Sequence, residues 1–415
     1  MSFDNNLEGY NIVKNMWFQY WNPSINNFST KVPCHESRDG KFSCWTMGVV
    51  LHAIGESCMV YKDLTLPIVE PTVRACLNYR NPKNGGYSVL YHGGPNSGDD
   101  DINYDDADHL LRGMLVCYEA TGNKEYLELS KELMRFLMGG LKEHESFKVT
   151  GMKWHISRKY MSTISNCVSA TCAMKLIPYS SNEDEKRQLY EYAKVCMNFI
   201  FTKMFDPNDN LIWDGVAYDS EVIDKQKYSY NTGNTITALC LLYKYDHNNE
   251  WAEKAKKLAE AATHRGRTLY DRDYDDWSKR FWHGPSYFIQ LLIEGLADYL
   301  ETFDETAPQS TKDCCKQEIL RHLSYFRKYC YDPQDGGYYT SFDIFKIDEK
   351  TYKRYKEEFK GHKKFDPCAQ DRVGGSNDTP IKDRPMSKSL MGAASAARIF
   401  FQGARVFPKM DPVDV

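Results

Sequence analysis

A repeat of paired helical segments constrains this chain more than any other feature. Apolar residues recur at helical spacing through 8–21, 45–61, 67–79, 106–121, 125–138, 161–177, 184–204, 231–245, 251–264, 284–303, 315–331 and 386–401. Pro23, Gly122, Gly139-Gly140 and Pro178 stop individual segments. A long loop carrying Trp, Asp and Gly precedes one helix, a short turn follows it, and a second helix leads to the next long loop. The unit is roughly 50–60 residues and recurs about six times, a period that marks a repeated supersecondary unit. Alternating strand patterns are scarce. The expected fold is therefore all-α, an (α/α)6 toroid of paired helices. Inner helices form its funnel and the long loops, gathered on one face, form its mouth. The expected organisation is one domain over 1–415.

In the long loop before 106, Gly85-Gly86, Gly93-Gly94-Pro95 and Gly98 lead into Asp99-Asp100-Asp101, then Asn103-Tyr104-Asp105-Asp106 at a helix start. Adjacent carboxylates repel unless hydrogen bonds, a cation or a substrate relieves them. A helix cap accounts for such a pair at no functional cost. The acid-crowded, glycine-rich loop before it favours an active-site rim instead. The triplet at 99–101 is expected to be a solvated acidic loop, with neither metal nor cofactor. Asp108 and His109 are expected on the surface of the helix's first turn; a His109 facing the pair would lower an aspartate pKa.

Composition excludes several classes. The net charge is -4, so nothing invites nucleic acid or an anionic membrane, and no run is long enough to span a bilayer. The residues Met1 to Asn6 lack a basic-then-apolar leader, so the expected setting is cytoplasmic. The 13 cysteines form no C-x-x-C pair, and many lie in apolar helical stretches (Cys117, Cys167, Cys172, Cys196, Cys240). Cys34 and Cys44 could bridge a loop, but free thiols are expected throughout. The sequons at Asn27 and Asn377 are expected to be idle. Aromatics reach 14% with 29 Tyr and 8 Trp, a surplus that suits sugar stacking or a large core.

In order along the chain, Asn103-Tyr104-Asp105-Asp106 with Tyr118-Glu119-Ala120-Thr121-Gly122-Asn123, Gly139-Gly140 with Trp154, Thr163-Ile164-Ser165-Asn166, Asp214-Gly215, Tyr228-Ser229-Tyr230-Asn231-Thr232-Gly233 and Phe281-Trp282-His283-Gly284 resemble the motifs of glycoside hydrolase family 76, the α-1,6-mannanases. The resemblance covers about residues 45–300, and the part from about 305 is less recognisable. It implies an (α/α)6 barrel that hydrolyses α-1,6-mannosidic links with retention. Asp105 resembles the nucleophile and Asp106 the acid/base, a pair that retention needs about 5–5.5 Å apart. Trp154, Asn166, Trp213, Asp214, Tyr230, Asn231, Trp282 and His283 become candidate contacts to an oligosaccharide or glycan. The chain departs from the family pattern at Ala107-Asp108-His109-Leu110, where the family carries Gln or Met and two Trp, and at Thr232 and His283. Two other readings stay open: a non-catalytic or divergent sugar-binding member of the fold, and an all-α terpene cyclase. In the latter, Asp105-Asp106-Ala107-Asp108-His109 would approximate the D-D-x-x-D box that holds magnesium on a diphosphate, although no partner box follows. The oligomeric state is left open.

Overall fold

The computed structural model describes residues 2–30, 37–38, 41–373 and 379–413. Cys34 and the sequon at Asn377 lie outside them. Helices dominate: α1 (Asn5–Tyr20), α2 (Cys44–Val60), α3 (Lys62–Cys76), α4 (Tyr104–Thr121), α5 (Lys124–Met138), α6 (Thr163–Leu176), α7 (Glu183–Phe199), α8 (Ser229–Asp246), α9 (Asn249–Thr263), α10 (Ser286–Thr302), α11 (Gln309–Tyr325), the short α12 (Glu349–Arg354) and α13 (Leu390–Ala404). Helices α2, α4, α6, α8, α10 and α13 pack each on the next, and α13 returns onto α2 to close an inner ring. Helices α1, α3, α5, α7, α9 and α11 lie outside it. This is the (α/α)6 toroid expected from the repeat. Phe3–Asp4 pairs antiparallel with Lys409–Met410, and α1 packs on α13, so the two ends of the described chain meet.

The division into rings is written in the side chains. Outer helices α5, α7 and α9 bury one stripe and expose the rest, as amphipathic helices do. Inner helices α2 and α6 are buried nearly all round. Where inner helices cross, glycine lets backbones touch. A Cβ added at Gly233 of α8 would overlap the Leu291 carbonyl of α10, and one at Gly295 would overlap the Gly233 carbonyl. Serine caps recur at inner-helix starts, with Ser43, Ser162 and Ser389 accepting from the backbone N–H groups of Thr46, Ser165 and Gly392.

Helix α3 begins at Lys62, earlier than the expected opening at Pro67, and contains both Pro67 and Pro71. Pro67 lies on the exposed face, where water can take the carbonyl left unbonded. Among the described residues the strands are two or three residues long; apart from the pairing of the two ends and a three-stranded sheet of 161–162, 215–216 and 223–224, they form hairpins. Asp206-Pro207-Asn208-Asp209 and Asp332-Pro333-Gln334-Asp335 form equivalent turns. Each grips a distant lysine: Lys227 bonds Asp206 and Asp209 at 2.5 and 2.7 Å, and Lys388 bonds Asp332 and, at 2.9 Å, Asp335. The twelve described cysteines are free, ten of them buried. Among the described residues no helix is long and apolar enough to cross a membrane.

At the ring's centre lies a buried polar hub. Arg112 of α4 donates to Glu294 of α10 and, at 3.1 Å, to Asn234 of α8. Arg398 of α13 donates to the other Glu294 oxygen at 2.9 Å, to Gln290 at 3.1 Å and to Glu56 of α2 at 3.1 Å. Five of the six inner helices thus share one network. Burial pushes the Glu294 carboxyl up, but Arg112 and Arg398 outweigh it and hold it well below the ordinary carboxylate range.

Candidate active site

One position in the repeat builds the site. The second residue of α2, α4, α6 and α8 (Trp45, Asp105, Ile164 and Tyr230) and the third of α10 (Phe288) all line a single cavity of about 530 Å³ at the mouth. His109 and Leu291, each about one turn further along its helix, lie deeper on the wall. Trp154, Arg158, Tyr160, Ser162 and Asp214 complete it from the long loops. The wall is mostly aromatic and aliphatic with two carboxylates, the mixture that suits a sugar's apolar faces and its hydroxyls.

The two adjacent aspartates have different surroundings. Asp105 is half-buried and lines the cavity; its Oδ2 accepts from the Trp154 indole N–H at 3.3 Å. Burial pushes its carboxyl up to about 7, against the pull of its own backbone N–H, the indole and the backbone N–H of Asp106. Asp106, 7% exposed, lies outside the cavity lining; among the described residues the Asn103 amide is the side chain that donates to it, at 3.4 Å. Burial first, then the charge of Asp105, drives the Asp106 carboxyl well above the ordinary range. Both carboxyls are raised; of the pair, Asp105 has the more donors favouring its charge, and Asp106 has burial and a neighbouring carboxylate favouring its proton.

Asp214 faces the pair across the cavity. It accepts from the Tyr160 hydroxyl at 3.1 Å, the Tyr230 hydroxyl at 3.1 Å and the Asn231 amide at 3.0 Å. Burial raises its carboxyl; these three donors oppose the rise. The loops are tied as firmly. Trp154 N–H bonds Tyr160 O at 2.8 Å, and His155 bonds Asp101 at 3.0 Å. The other members of the acidic triplet are engaged too, Asp99 by His92 at 2.6 Å and Asp100 by Asn81 at 2.7 Å.

Among the candidate residues, the structure brings Asp105, Trp154, Asp214 and Tyr230 together around the cavity and leaves Asp106 outside its lining. The others lie elsewhere. Trp282 is only 1% exposed; its indole N–H bonds Ala262 O at 2.9 Å and its ring stacks on His322 at 3.6 Å, so it is core rather than a sugar platform. His283 is exposed and turned onto Thr268 O at 2.9 Å. Trp213 lies outside the lining, with Lys225 over its ring at 5.3 Å. Asn166 is fully buried, joining Met152 N at 2.9 Å to Ser162 O at 2.8 Å, and Asn231 serves Asp214 from within α8.

Asp108 and His109 are buried rather than on the surface, because α4 belongs to the inner ring and has no solvent face at that turn. Asp108 accepts from Ser169 of α6 at 2.6 Å instead of converging with the pair. Among the described residues there is no cluster of three or more metal-ligating side chains. His109 does line the cavity, but burial, then Arg112 and Arg398, push its pKa down to about 3. It is neutral, and brings no positive charge to the aspartates.

The residues missed in the sequence are Trp45, Arg158, Tyr160, Ser162, Ile164, Phe288 and Leu291. Superposing the repeats would have found Trp45, Ile164 and Phe288, which occupy the helix starts equivalent to Asp105 and Tyr230.

Comparison with known proteins identifies the family and the fold. The sequence model described as glycosyl hydrolase family 76 matches residues 7–353. The Meiotically up-regulated gene 191 protein of Schizosaccharomyces pombe is 24% identical over 98% of this chain and 93% of its own length. A family 76 α-mannanase from Bacteroides thetaiotaomicron has a similar fold, with a TM-score of 0.69 at 17% identity, covering 97% of this chain and 96% of the other. So does an α-1,6-mannanase from Salegentibacter sp., with a TM-score of 0.70 at 15% identity, covering 97% of this chain and all of the other. That structure is of an inactive variant, in which two adjacent aspartates are replaced by asparagine, in complex with α-1,6-mannotriose.

Proposed function

The chain belongs to glycosyl hydrolase family 76 and is a glycoside hydrolase, and from that premise we propose that it cleaves α-1,6-linked mannosides with retention, Asp105 acting as nucleophile and Asp106 as acid/base. The observation that carries the assignment is the unequal environment of the pair. Asp105 faces the cavity with an indole N–H and backbone N–H groups favouring its charge. Asp106 has burial and a neighbouring carboxylate favouring its proton. Two carboxyls pushed apart in this way divide the work of nucleophile and acid. The inactive, mannotriose-bound relative with its two adjacent aspartates replaced supports the same pair and the same class of substrate.

In this mechanism the sugar ring seats against the Trp154, Tyr230 and Phe288 wall. Asp105 attacks the anomeric carbon as Asp106 protonates the departing oxygen, giving a glycosyl–Asp105 ester. Asp106, now a base, takes a proton from water, and the water attacks the anomeric carbon from the face that the leaving group vacated, breaking the bond to Asp105 and releasing its carboxylate. Asp214, held by three donors, is positioned to accept hydrogen bonds from sugar hydroxyls. The test is to follow α-1,6-mannotetraose by NMR from mixing. The α-anomer of the product should appear first, with the β-anomer growing in only by mutarotation. First appearance of the β-anomer would establish inversion. Binding without cleavage would make the chain a sugar-binding member of the family.

Trp154→Phe keeps the ring and removes the indole N–H. Because that bond favours the charged form of Asp105, its loss raises the Asp105 carboxyl further, leaving less nucleophile ionised at acid pH. Activity at pH 5 should fall by roughly two- to tenfold, the net value of one hydrogen bond, and the deficit should shrink as pH rises. A pH-independent loss in kcat/KM would mean that Trp154 acts only as a stacking surface.

A further inference from the structure

Among the described residues that line the cavity, Arg158 is the one charged cation, and no ion pair neutralises it. Arg158 lines the cavity with its guanidinium over the Trp154 ring at 5.2 Å. Its basic neighbours are all engaged: Lys153 on Ile156 O at 3.2 Å, His155 on Asp101 at 3.0 Å and Lys159 on Asp219 at 2.8 Å. Among the described residues Arg158 has no ion-pair partner, although Asp105 and Asp214 line the same cavity. We propose that Arg158 and Trp154 form an oxyanion subsite, so that the glycan this chain acts on carries a phosphoryl or carboxyl substituent on the sugar seated against Trp154. The proposal rests on the reading of the cavity as an α-mannoside site.

The turn that carries Arg158 is fixed rather than slack. Trp154 N–H bonds Tyr160 O at 2.8 Å across it, Ile156 N–H bonds Ile102 O at 3.0 Å, and Ser157 N–H bonds His155 Nδ1 at 3.1 Å. Stacking on an indole engages the face of a guanidinium and leaves its edge of N–H donors open, and that planar edge fits two oxygens of a phosphate or carboxylate. Arg158 itself is exposed, and its stacking on Trp154 meets part of the cost of ordering its side chain before a ligand binds. The rest of the cavity argues for a charged ligand group rather than a hydroxyl. Asp214 and the neutral ring of His109 line the same cavity and can hydrogen-bond hydroxyls, and neither needs a cation nearby to do so. Near the acids an anion would be repelled, and the Arg158 side of Trp154 is where the wall offers it a counter-charge. Asp105 accepts from the indole N–H of the same residue, so a group held there lies close to the reacting sugar and can contribute to its orientation.

The test uses the full chain and three glycans: α-1,6-mannotetraose, the same chain phosphorylated on the free terminal 6-hydroxyl, and the same chain oxidised there to a carboxylate. Wild type should cleave at least one charged glycan with a kcat/KM about tenfold above the neutral one at low salt, the order of one bidentate contact, and added salt should reduce the preference. Arg158→Gln should bring the charged-to-neutral ratio close to one, and Arg158→Lys should retain part of it. Preference for one charged glycan over the other identifies the group. Cleavage of the neutral glycan with no preference for charge, or an Arg158→Gln loss equal on all three, overturns the subsite while leaving the mannosidase reading intact. If nothing is cleaved, that reading fails, and calorimetric binding of the same three glycans decides the subsite. Tighter binding of a charged glycan by wild type, lost in Arg158→Gln, supports it; equal binding overturns it.

Discussion

Asp106→Ala should slow hydrolysis of α-1,6-mannobiose by about 10²–10⁴-fold, the usual contribution of a general acid, and should slow an activated aryl α-mannoside much less, because a good leaving group needs little protonation. Asp105→Ala should be worse on both, since no covalent intermediate can form. Azide separates the two variants. It should rescue Asp106→Ala and give a glycosyl azide of retained configuration, whereas any product from Asp105→Ala and azide must be inverted. The pH profile carries the same information. Activity needs Asp105 ionised and Asp106 protonated, and both carboxyls are raised, so the active window lies above that of an ordinary carboxyl pair. Asp105→Asn removes the charge that helps hold Asp106 up, and the Asp106 titration should then move to lower pH. Stability should change in the opposite sense to activity. A carboxyl whose folded value is raised contributes stability that is fully present below its unfolded value of about 3.9 and is lost as pH rises through the folded value. Near pH 4 Asp105→Asn and wild type should therefore melt alike, and at neutral pH the variant should melt higher. Wild-type rates in both alanine variants on every mannoside cleaved would reduce the pair to a helix cap.

Glu294→Ala should cost about 3–5 kcal/mol, the penalty for breaking a buried ion pair, measured by denaturant unfolding at neutral pH. The substitution leaves Arg112 and Arg398, both buried, facing one another without the carboxylate that each now donates to. Removing a positive partner at the same time tests the cause. The pair Glu294→Leu with Arg112→Met should recover much of the loss, because an apolar replacement removes the stranded charge along with its partner. A loss below about 1 kcal/mol for Glu294→Ala, the range of an exposed pair, would show that the hub relaxes or hydrates instead of holding the inner helices together.

Much of this was legible in the sequence, and the exceptions share a cause. The helix pairs were readable because outer helices such as α5 and α9 are amphipathic, and Asp105 with Asp106 because a carboxylate pair at a loop–helix junction is unusual chemistry. Asp214 and Tyr230 followed from motif order. Arg112, Glu294 and Arg398 gave no such signal. Periodicity presumes one apolar stripe per helix, and an inner helix enclosed on every side has none, so charged residues in its sequence look solvent-facing when they are interior. Trp282 failed for the converse reason. A tryptophan beside a helix start resembles a sugar platform, but its fate was decided by His322 and Ala262, whose proximity comes from α11 and α9 closing behind it. Tyr160 and Arg158 became visible only once the loop at 154–160 was seen to fold back against Asp214 and Trp154.

The five helix starts that furnish the cavity wall have an electrostatic consequence independent of any side chain. Each helix presents its positive macrodipole end there, equivalent to about half an elementary charge over the first turn. Five such ends converging on one small volume create a standing positive potential that belongs to the backbone, so substitution of the lining residues leaves it largely in place. The acids at the mouth are then a counterweight that the architecture itself requires. A sugar developing positive charge at its ring would be destabilised by the bare toroid, and Asp105 with Asp214 reverses that sign locally. Stripped of those carboxylates, the same barrel would become a receptor for anions.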